Sequence, residues 1–254
     1  MRSAGLVSLR GLGSVLASIL IFLVVWEAVV QLTGLKPFLL PGPLRVAQAL
    51  AANITSIGWH ALVTSTEILV GLVCGLGIGV ITAIQLAMSP AARVHVRPIL
   101  VFLQAVPFFA LAPILTFWMG YGMAPKIVMA MLIIYFPVTS AFFDGLMRTP
   151  PGYLDLARTM GASRWTVLWR VRIPAAVPAL ASGLKLGAVF TPIGAVIGEW
   201  VGGSGEGLGY LMLLANGRAK IDLMFACVVI LAVITVLLYW IADWLGERMT
   251  RRFS

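Results

Sequence analysis

Charged residues are scarce in this chain of 254 residues, since only 11% are Asp, Glu, Lys or Arg, whereas 61% are hydrophobic. Soluble globular domains carry about 25% charged residues. The composition therefore excludes an ordinary soluble domain. Long apolar runs along the chain predict an all-α integral membrane protein, which we expect to form one transmembrane domain over residues 1–254.

The chain also lacks the residues that catalysis, redox chemistry or metal binding would need. It has no Gly-Lys-Ser or Gly-Lys-Thr phosphate loop, and the glycine-rich run at 202–209 contains no lysine. Cys74 and Cys227 both lie in apolar segments, which gives no disulfide framework. His60 and His95 are predicted on opposite faces of the membrane, which excludes a shared metal site. We therefore predict no catalytic residue, metal or cofactor in this chain.

Six apolar segments are each near or above the ~20 residues that cross a hydrocarbon core. Six crossings place both termini on the same side of the membrane. The first segment is longer than the ~7–15 residues of a signal-peptide core, so we read it as a retained anchor. The outer loops are then 33–60 and 199–221, and a long inner loop covers 144–174. The predicted spans are 14–32, 61–88, 99–119, 125–143, 176–198 and 222–245.

The net charge of +9 follows membrane topology, so it does not indicate a nucleic-acid partner. With the N-terminus in the cytoplasm, twelve arginines fall inside, five Lys or Arg residues fall outside, and Lys185 stays within a span. This asymmetry predicts cytoplasmic N- and C-termini. The inner set is Arg2, Arg10, Arg93, Arg97, Arg148, Arg158, Arg164, Arg170, Arg172, Arg248, Arg251 and Arg252, and the outer set is Lys36, Arg45, Lys126, Arg218 and Lys220.

Prolines and charges interrupt the apolar spans. A proline frees a backbone carbonyl, which in lipid needs a partner or a water-lined cavity. We therefore expect Pro107, its neighbour Phe108, and Pro192 to lie beside a substrate pathway. Lys185 either faces this pathway or an interface, or extends to the inner surface. Glu199 either caps the fifth span at the outer interface or faces the exit of the binding protein on the substrate pathway, and we favour the second.

The second span carries one charge and a glycine face. Glu67 lies within two turns of the outer end, where we expect it to reach water. Gly71, Gly75 and Gly79 are spaced by four residues, which predicts close packing against another helix.

The inner loop carries an apolar stripe although water can reach it. Tyr153, Leu156, Ala157 and Met160 recur at i, i+3, i+4 and i+7, the spacing of one helix face. Gly161 then offers a left-handed stop to this helix. An apolar stripe adds no stability in a solvated loop unless something packs on it. We predict a docking surface for a partner protein; the alternative is an amphipathic helix that lies on the membrane surface.

After this stop, Ser163 is placed to cap a second short helix. The residue order across the whole inner loop also resembles a known motif. Spacing agrees at every position with the EAA loop of ABC importer membrane subunits, written E-A-A-x3-G-x9-I-x-L-P. In this chain the motif reads Asp155-Leu156-Ala157, three residues, Gly161, nine residues, Val171-x-Ile173-Pro174.

This resemblance implies a type I ABC importer permease of the nitrate, sulfonate and taurine group, in the bacterial inner membrane. Besides membrane lipid, it implies three partners: a cytoplasmic ABC ATPase that binds ATP and Mg²⁺, a second permease copy, and an extracytoplasmic substrate-binding protein. The resemblance assigns coupling to the ATPase to seven residues of the inner loop, namely Tyr153, Asp155, Leu156, Ala157, Met160, Gly161 and Pro174.

The last outer loop resembles permeases for hydroxymethylpyrimidine, a precursor of thiamine. The resemblance implies such a precursor as the transported solute, with sulfonate, taurine or nitrate as the alternative. An ATP-independent secondary transporter is an alternative of another class. It would need carboxylates near the membrane centre and usually an internal repeat, and only Glu27 approaches this. The stretches that carry the resemblance are Glu199-Trp200-Val201-Gly202, Gly207-Leu208-Gly209-Tyr210 and Ala215-Asn216-Gly217-Arg218.

Overall fold

The computed structural model describes residues 9–202 and 205–253, and the regular structure in this part is helical, as predicted. Arg2 of the arginine count and Gly203 and Ser204 of the glycine-rich run lie outside the described residues. A π-helical turn, Leu168–Arg172, joins α8 to α9. The helices are α1 (Leu9–Thr33), α2 (Pro43–Ala52), α3 (Ile54–Met88), α4 (Pro90–Ala105), α5 (Phe108–Met119), α6 (Met123–Met147), α7 (Pro151–Thr159), α8 (Arg164–Val167), α9 (Ile173–Gly202), α10 (Leu208–Gly217) and α11 (Ile221–Phe253).

Four helical stretches of the described chain are long and apolar enough to cross a membrane. They contain the second, fourth, fifth and sixth predicted spans. The first predicted span, 14–32, lies in α1, whose apolar part Ala17–Thr33 is shorter than these four. The all-α membrane fold is confirmed, although fewer than six long spans occur among the described residues. The four stretches are Ile54–Met88, Met123–Met147, Arg164–Gly202 and Ile221–Arg252.

The third predicted span, 99–119, is not a single helix. Helix α4 ends at Ala105, α5 begins at Phe108, and the two helices meet at 100°. Between them Val106 and Pro107 adopt extended backbone, with ψ of 124° and 115°. Proline has no N–H for an intrahelical bond and disfavours helical backbone in the residue before it. The bend therefore follows from Pro107. When the bent pair counts as one span, the described chain has up to five helical spans long and apolar enough to cross a membrane, besides the shorter apolar part of α1.

Both segments expected as outer loops contain more helix than predicted. Within 33–60, helix α2 ends at Ala52, and α3 begins two residues later. The expected loop 199–221 contains α10, whose residues Leu208 and Leu211 are buried in a cluster with Cys227 of α11. An apolar run after Gly207 was the sequence signal for this helix, and burial against α11 stabilises it.

Helix α6 packs between α3 and α9. Both neighbours approach it through glycines. A methyl group on Gly75 of α3 would lie 2.7 Å from the carbonyl oxygen of Met131, and one on Gly194 of α9 would lie 2.8 Å from the Cα atom of Ala130. Both distances are too short for real side-chain contacts, so the helices meet backbone to backbone. The packing role predicted for the glycine face of the second span is confirmed.

Candidate functional site

The short helix α7 presents apolar side chains to solvent. Tyr153, Leu156 and Met160 are 62%, 59% and 77% exposed. We call these three residues the α7 surface. Ala157, predicted on the same stripe, is instead buried against the body of the chain. Asp155 lies beside the α7 surface and forms an exposed ion pair three residues along the helix.

A tight turn holds α7 in place, as the sequence predicted. Gly161 adopts the left-handed conformation, with φ of 71°. Its N–H donates to the carbonyl of Arg158 at 2.9 Å, and the N–H of Ala162 donates to the carbonyl of Ala157 at 2.9 Å. These two bonds form a Schellman motif. Ser163 Oγ then accepts a hydrogen bond from the backbone N–H three residues on, at 3.2 Å, and caps α8.

Pro174 lies at the second residue of α9, directly after the π-helical turn. It has no N–H to donate to the carbonyl of Arg170, and the turn at this point is wider than an α-helix. Single π-helical turns occur frequently at functional sites. Through this turn the segment that carries the α7 surface continues into membrane helix α9.

A groove of about 630 Å³ lies beside the break between α4 and α5. Phe108 lines it, with its ring centroid 6.4 Å from that of Phe136. Pro107 lies in the bend between two lining residues. The polar side chains among the described lining residues are Gln104 and Ser140, and both are uncharged. We call this surface the groove. It is lined by Gln104, Phe108, Ile133, Phe136, Pro137, Ser140, Ala141, Leu186, Phe190 and Ile193.

Lys185 and Pro192, which were expected along a substrate pathway, do not line the groove. Pro192 is buried within α9. Lys185 forms an ion pair with Asp243 of α11, while its neighbour Leu186 lines the groove. The charge of Lys185 is thus compensated within the chain. The sequence analysis missed this pair, although Lys185 and Asp243 carry opposite charges within the last two predicted spans.

Glu199 is 1% exposed, so the interpretation that it faces the outer exit is wrong. Its carboxylate instead helps to cap α10. The N–H groups of residues 207–209 donate, in that order, to His60 Nδ1 at 3.0 Å, to Thr64 Oγ1 at 2.8 Å and to a Glu199 oxygen. Thr64 also donates to the second oxygen of Glu199 at 2.5 Å. Side chains from α3 and α9 therefore satisfy donors that a helix start leaves free.

Lys126 is fully buried beside these groups. Its Nζ atom donates to Glu67 Oε1 at 2.9 Å and to the carbonyl oxygen of Glu206 at 2.8 Å. The expectation that Glu67 reaches water is wrong, because packing of α3, α6 and α9 buries it. Lys126, which was counted on the outer side, is buried by the same packing. Both residues fall within segments predicted as membrane spans, and this was the sequence signal available for their burial. We call His60, Thr64, Glu67, Lys126 and Glu199 the capping cluster.

The capping cluster predicts a specific stability pattern. Lys126→Met should leave the Glu67 carboxylate buried without its cation, which costs about 3–5 kcal/mol. We expect the melting temperature of the detergent-solubilised protein to fall by roughly 10 °C. A second change, Glu67→Leu, should recover most of that loss because it removes the orphaned partner. Lys36→Met, at an exposed lysine, serves as the control. Equal melting temperatures for Lys126→Met and the control would contradict the assignment.

The chain matches a family model over residues 75–251, which is more than half of its length. The family is described as the inner membrane component of binding-protein-dependent transport systems. The matched range includes α7, its turn, the π-helical turn and every residue that lines the groove.

Three relatives of known sequence align with most of the chain. A probable ABC transporter permease of Haemophilus influenzae is 49% identical and covers 90% of this chain and 93% of its own. The formylaminopyrimidine transport permease ThiX of Halalkalibacterium halodurans is 31% identical, with coverages of 86% and 87%. The riboflavin transport permease RibX of Chloroflexus aurantiacus is 34% identical, with coverages of 92% and 88%.

The fold is also similar to a solved structure, an inward-facing conformation of the MetNI methionine ABC transporter. The TM-score is 0.59 at 21% identity, and the alignment covers 81% of this chain and 98% of that chain. The likeness shows the fold expected for a type I ABC importer permease.

Proposed function

This chain belongs to the inner membrane components of binding-protein-dependent transport systems, as a multi-pass permease subunit of an ABC importer, and from that premise we propose what it carries. The solute is a small uncharged heterocycle, a pyrimidine precursor of thiamine such as hydroxymethylpyrimidine. The observation that carries this proposal is the uncharged, aromatic lining of the groove.

The groove offers the contacts that a neutral heterocycle needs. Phe108, Phe136 and Phe190 supply aromatic faces and edges against which a flat ring can stack. The Gln104 amide donates and accepts hydrogen bonds, and the Ser140 hydroxyl does the same, which suits ring nitrogens and an exocyclic amine or hydroxyl. Small-molecule sites are typically apolar with a few polar groups that fix orientation.

Two relatives support the same chemical class. One is named for formylaminopyrimidine and the other for riboflavin, and both solutes are nitrogen heterocycles. The pyrimidine is the smaller of the two. We favour it because the stretches at 199–218 resemble permeases for a thiamine precursor.

An anionic solute, such as a sulfonate, taurine or nitrate, would require a different lining. Dehydrating an anion within a membrane is costly unless a cation compensates the charge. Lys185 was the candidate for that role, but it pairs with Asp243. No charged side chain is among the described residues that line the groove.

We propose that the α7 surface docks on a separate cytoplasmic ABC ATPase, which binds ATP and Mg²⁺. Its three exposed apolar side chains gain burial only when a partner covers them. Different contacts with two states of the ATPase would then bias the permease between inward-open and outward-open forms. A second permease copy completes the pathway, and an extracytoplasmic binding protein delivers the solute.

The arginine asymmetry orients this arrangement, with α7 and both termini in the cytoplasm. We expect Ser163→Cys to be protected from an impermeant thiol reagent in intact cells. Lys220→Cys, in the exposed link between α10 and α11, should be labelled. Both variants should be made on a background without Cys74 and Cys227. Labelling of Ser163→Cys from outside would reverse the orientation and remove α7 from the ATPase.

The docking role of the α7 surface is tested by adding one carboxylate to it. Leu156→Glu should insert normally but lose the ATPase, because the charge must be desolvated in the docked complex. We expect at least about tenfold less ATPase to co-purify. Thr159→Glu adds the same charge at an exposed position outside the α7 surface and should retain the ATPase. Ala157 is less suitable because it is buried, so a failure there has a structural cause. Equal ATPase recovery from both variants would contradict the proposal.

The solute is tested by uptake in a strain that depends on this importer. We expect hydroxymethylpyrimidine to rescue a block in thiamine synthesis. Ser140→Ala, which removes only the hydroxyl, should reduce its uptake by roughly tenfold. Lys185→Gln should leave the solute preference unchanged. Alkanesulfonate uptake that Lys185→Gln abolishes, without any response to pyrimidine, would replace this proposal with the anionic alternative.

A further inference from the structure

Four arginines line a second cavity, of about 370 Å³, behind α7. Arg158 belongs to α7, Arg164 to α8, Arg172 to the π-helical turn and Arg93 to α4. The cavity therefore lies between the segment that carries the α7 surface and the ends of the membrane helices. Met147, the last residue of α6, also lines it.

Most of this positive charge has no compensation within the described chain. Only Arg158 forms an ion pair there, with Asp155, and no carboxylate lines the cavity. Arg93 and Arg172 each have a buried Nε atom without a hydrogen-bond partner. The hydrogen-bond contact of Arg93 is a long one, from its guanidinium to the sulfur of Met147 at 3.9 Å. Arg172 lies close enough to Arg93 and Arg158 to interact with their charges.

Buried guanidinium donors without acceptors are costly, so a ligand that supplies acceptors and negative charge would stabilise the site. Phosphate oxygens match the planar fork of arginine, with two parallel N–H donors to two oxygens. Donors from four separate helical elements suit the tetrahedral oxygens of a phosphate better than a single planar carboxylate.

The surroundings place the cavity at the membrane surface. Trp165 and Trp169, in α8 and the π-helical turn, are exposed, and tryptophan is favoured at the level of lipid headgroups. Val94 and Phe102 on α4 are exposed apolar residues that suit contact with lipid tails. In the proposed orientation the cavity faces the cytoplasmic leaflet, where anionic lipids attract basic segments.

The geometry points to a phosphate-binding site formed by Arg93, Arg158, Arg164 and Arg172, filled by the headgroup of an anionic phospholipid. The bound phosphate joins the segment behind the α7 surface to the ends of α3, α4 and α6. It offsets the mutual repulsion of the arginines and holds α7 in its docking position.

Native mass spectrometry of the full-length permease, purified in detergent with any co-purifying ATPase, tests this site. The probes are short-chain phosphatidylglycerol, phosphatidylcholine and inorganic phosphate, each added separately. We expect phosphatidylglycerol to bind and phosphatidylcholine not to compete with it. Arg93→Gln combined with Arg172→Gln should weaken the phosphatidylglycerol complex by at least about tenfold. Arg170→Gln removes the same charge from an exposed position on the same turn and should leave binding unchanged.

Each other outcome is also decisive. Binding of inorganic phosphate but not phosphatidylglycerol, with the same loss in the double variant, supports the site and identifies its ligand as a soluble oxyanion. Equal phosphatidylglycerol binding by all variants overturns the proposal. Loss of the ATPase from the double variant without any change in phosphatidylglycerol or phosphate binding also overturns it, because the arginines then meet carboxylates of the partner. Arg93→Lys with Arg172→Lys keeps the charge and controls for folding.

Discussion

A lysine buried among membrane helices must keep a negative partner beside it, and this constraint organises one end of the protein. Lys126 meets Glu67 of α3, and Glu199 of α9 lies in the same cluster. The carboxylate of Glu199 and two side chains of α3 also hold the first turn of α10. Four helices are therefore tied together by one group of polar contacts. Away from this cluster, glycines of α3 and α9 lie against α6, and the three helices are held by close backbone packing instead of polar contacts.

Features that depend on neighbouring residues were predictable from the sequence. The stop at Gly161, the cap at Ser163 and the helix in the inner loop follow from local backbone preferences. The structure contains all three. Four of the predicted spans appear as long helices because apolar length alone identifies them. The motif spacing in the inner loop indicated the family, and the comparison over residues 75–251 confirms it.

Features that depend on which helices pack together were not predictable in the same way. Lys126, Glu67 and Glu199 are separated by 59 to 132 positions along the chain, so nothing local shows that they meet. Lys185 was open to several interpretations until its partner Asp243 was known. Ala157 shared the periodicity of the exposed stripe, yet its small side chain faces the body of the chain. Periodicity finds a helix face but does not tell which edge of that face is covered.

The break between α4 and α5 has a consequence for how selectivity can change among related permeases. A helix end leaves main-chain carbonyls without intrahelical partners, and a helix start leaves N–H groups in the same condition. Both kinds of end meet at Val106 and Pro107, between Gln104 and Phe108 of the groove. Main-chain polarity survives any side-chain replacement. Under the proposed function, the bend gives the groove a constant polar element, and the side chains around it set the solute preference.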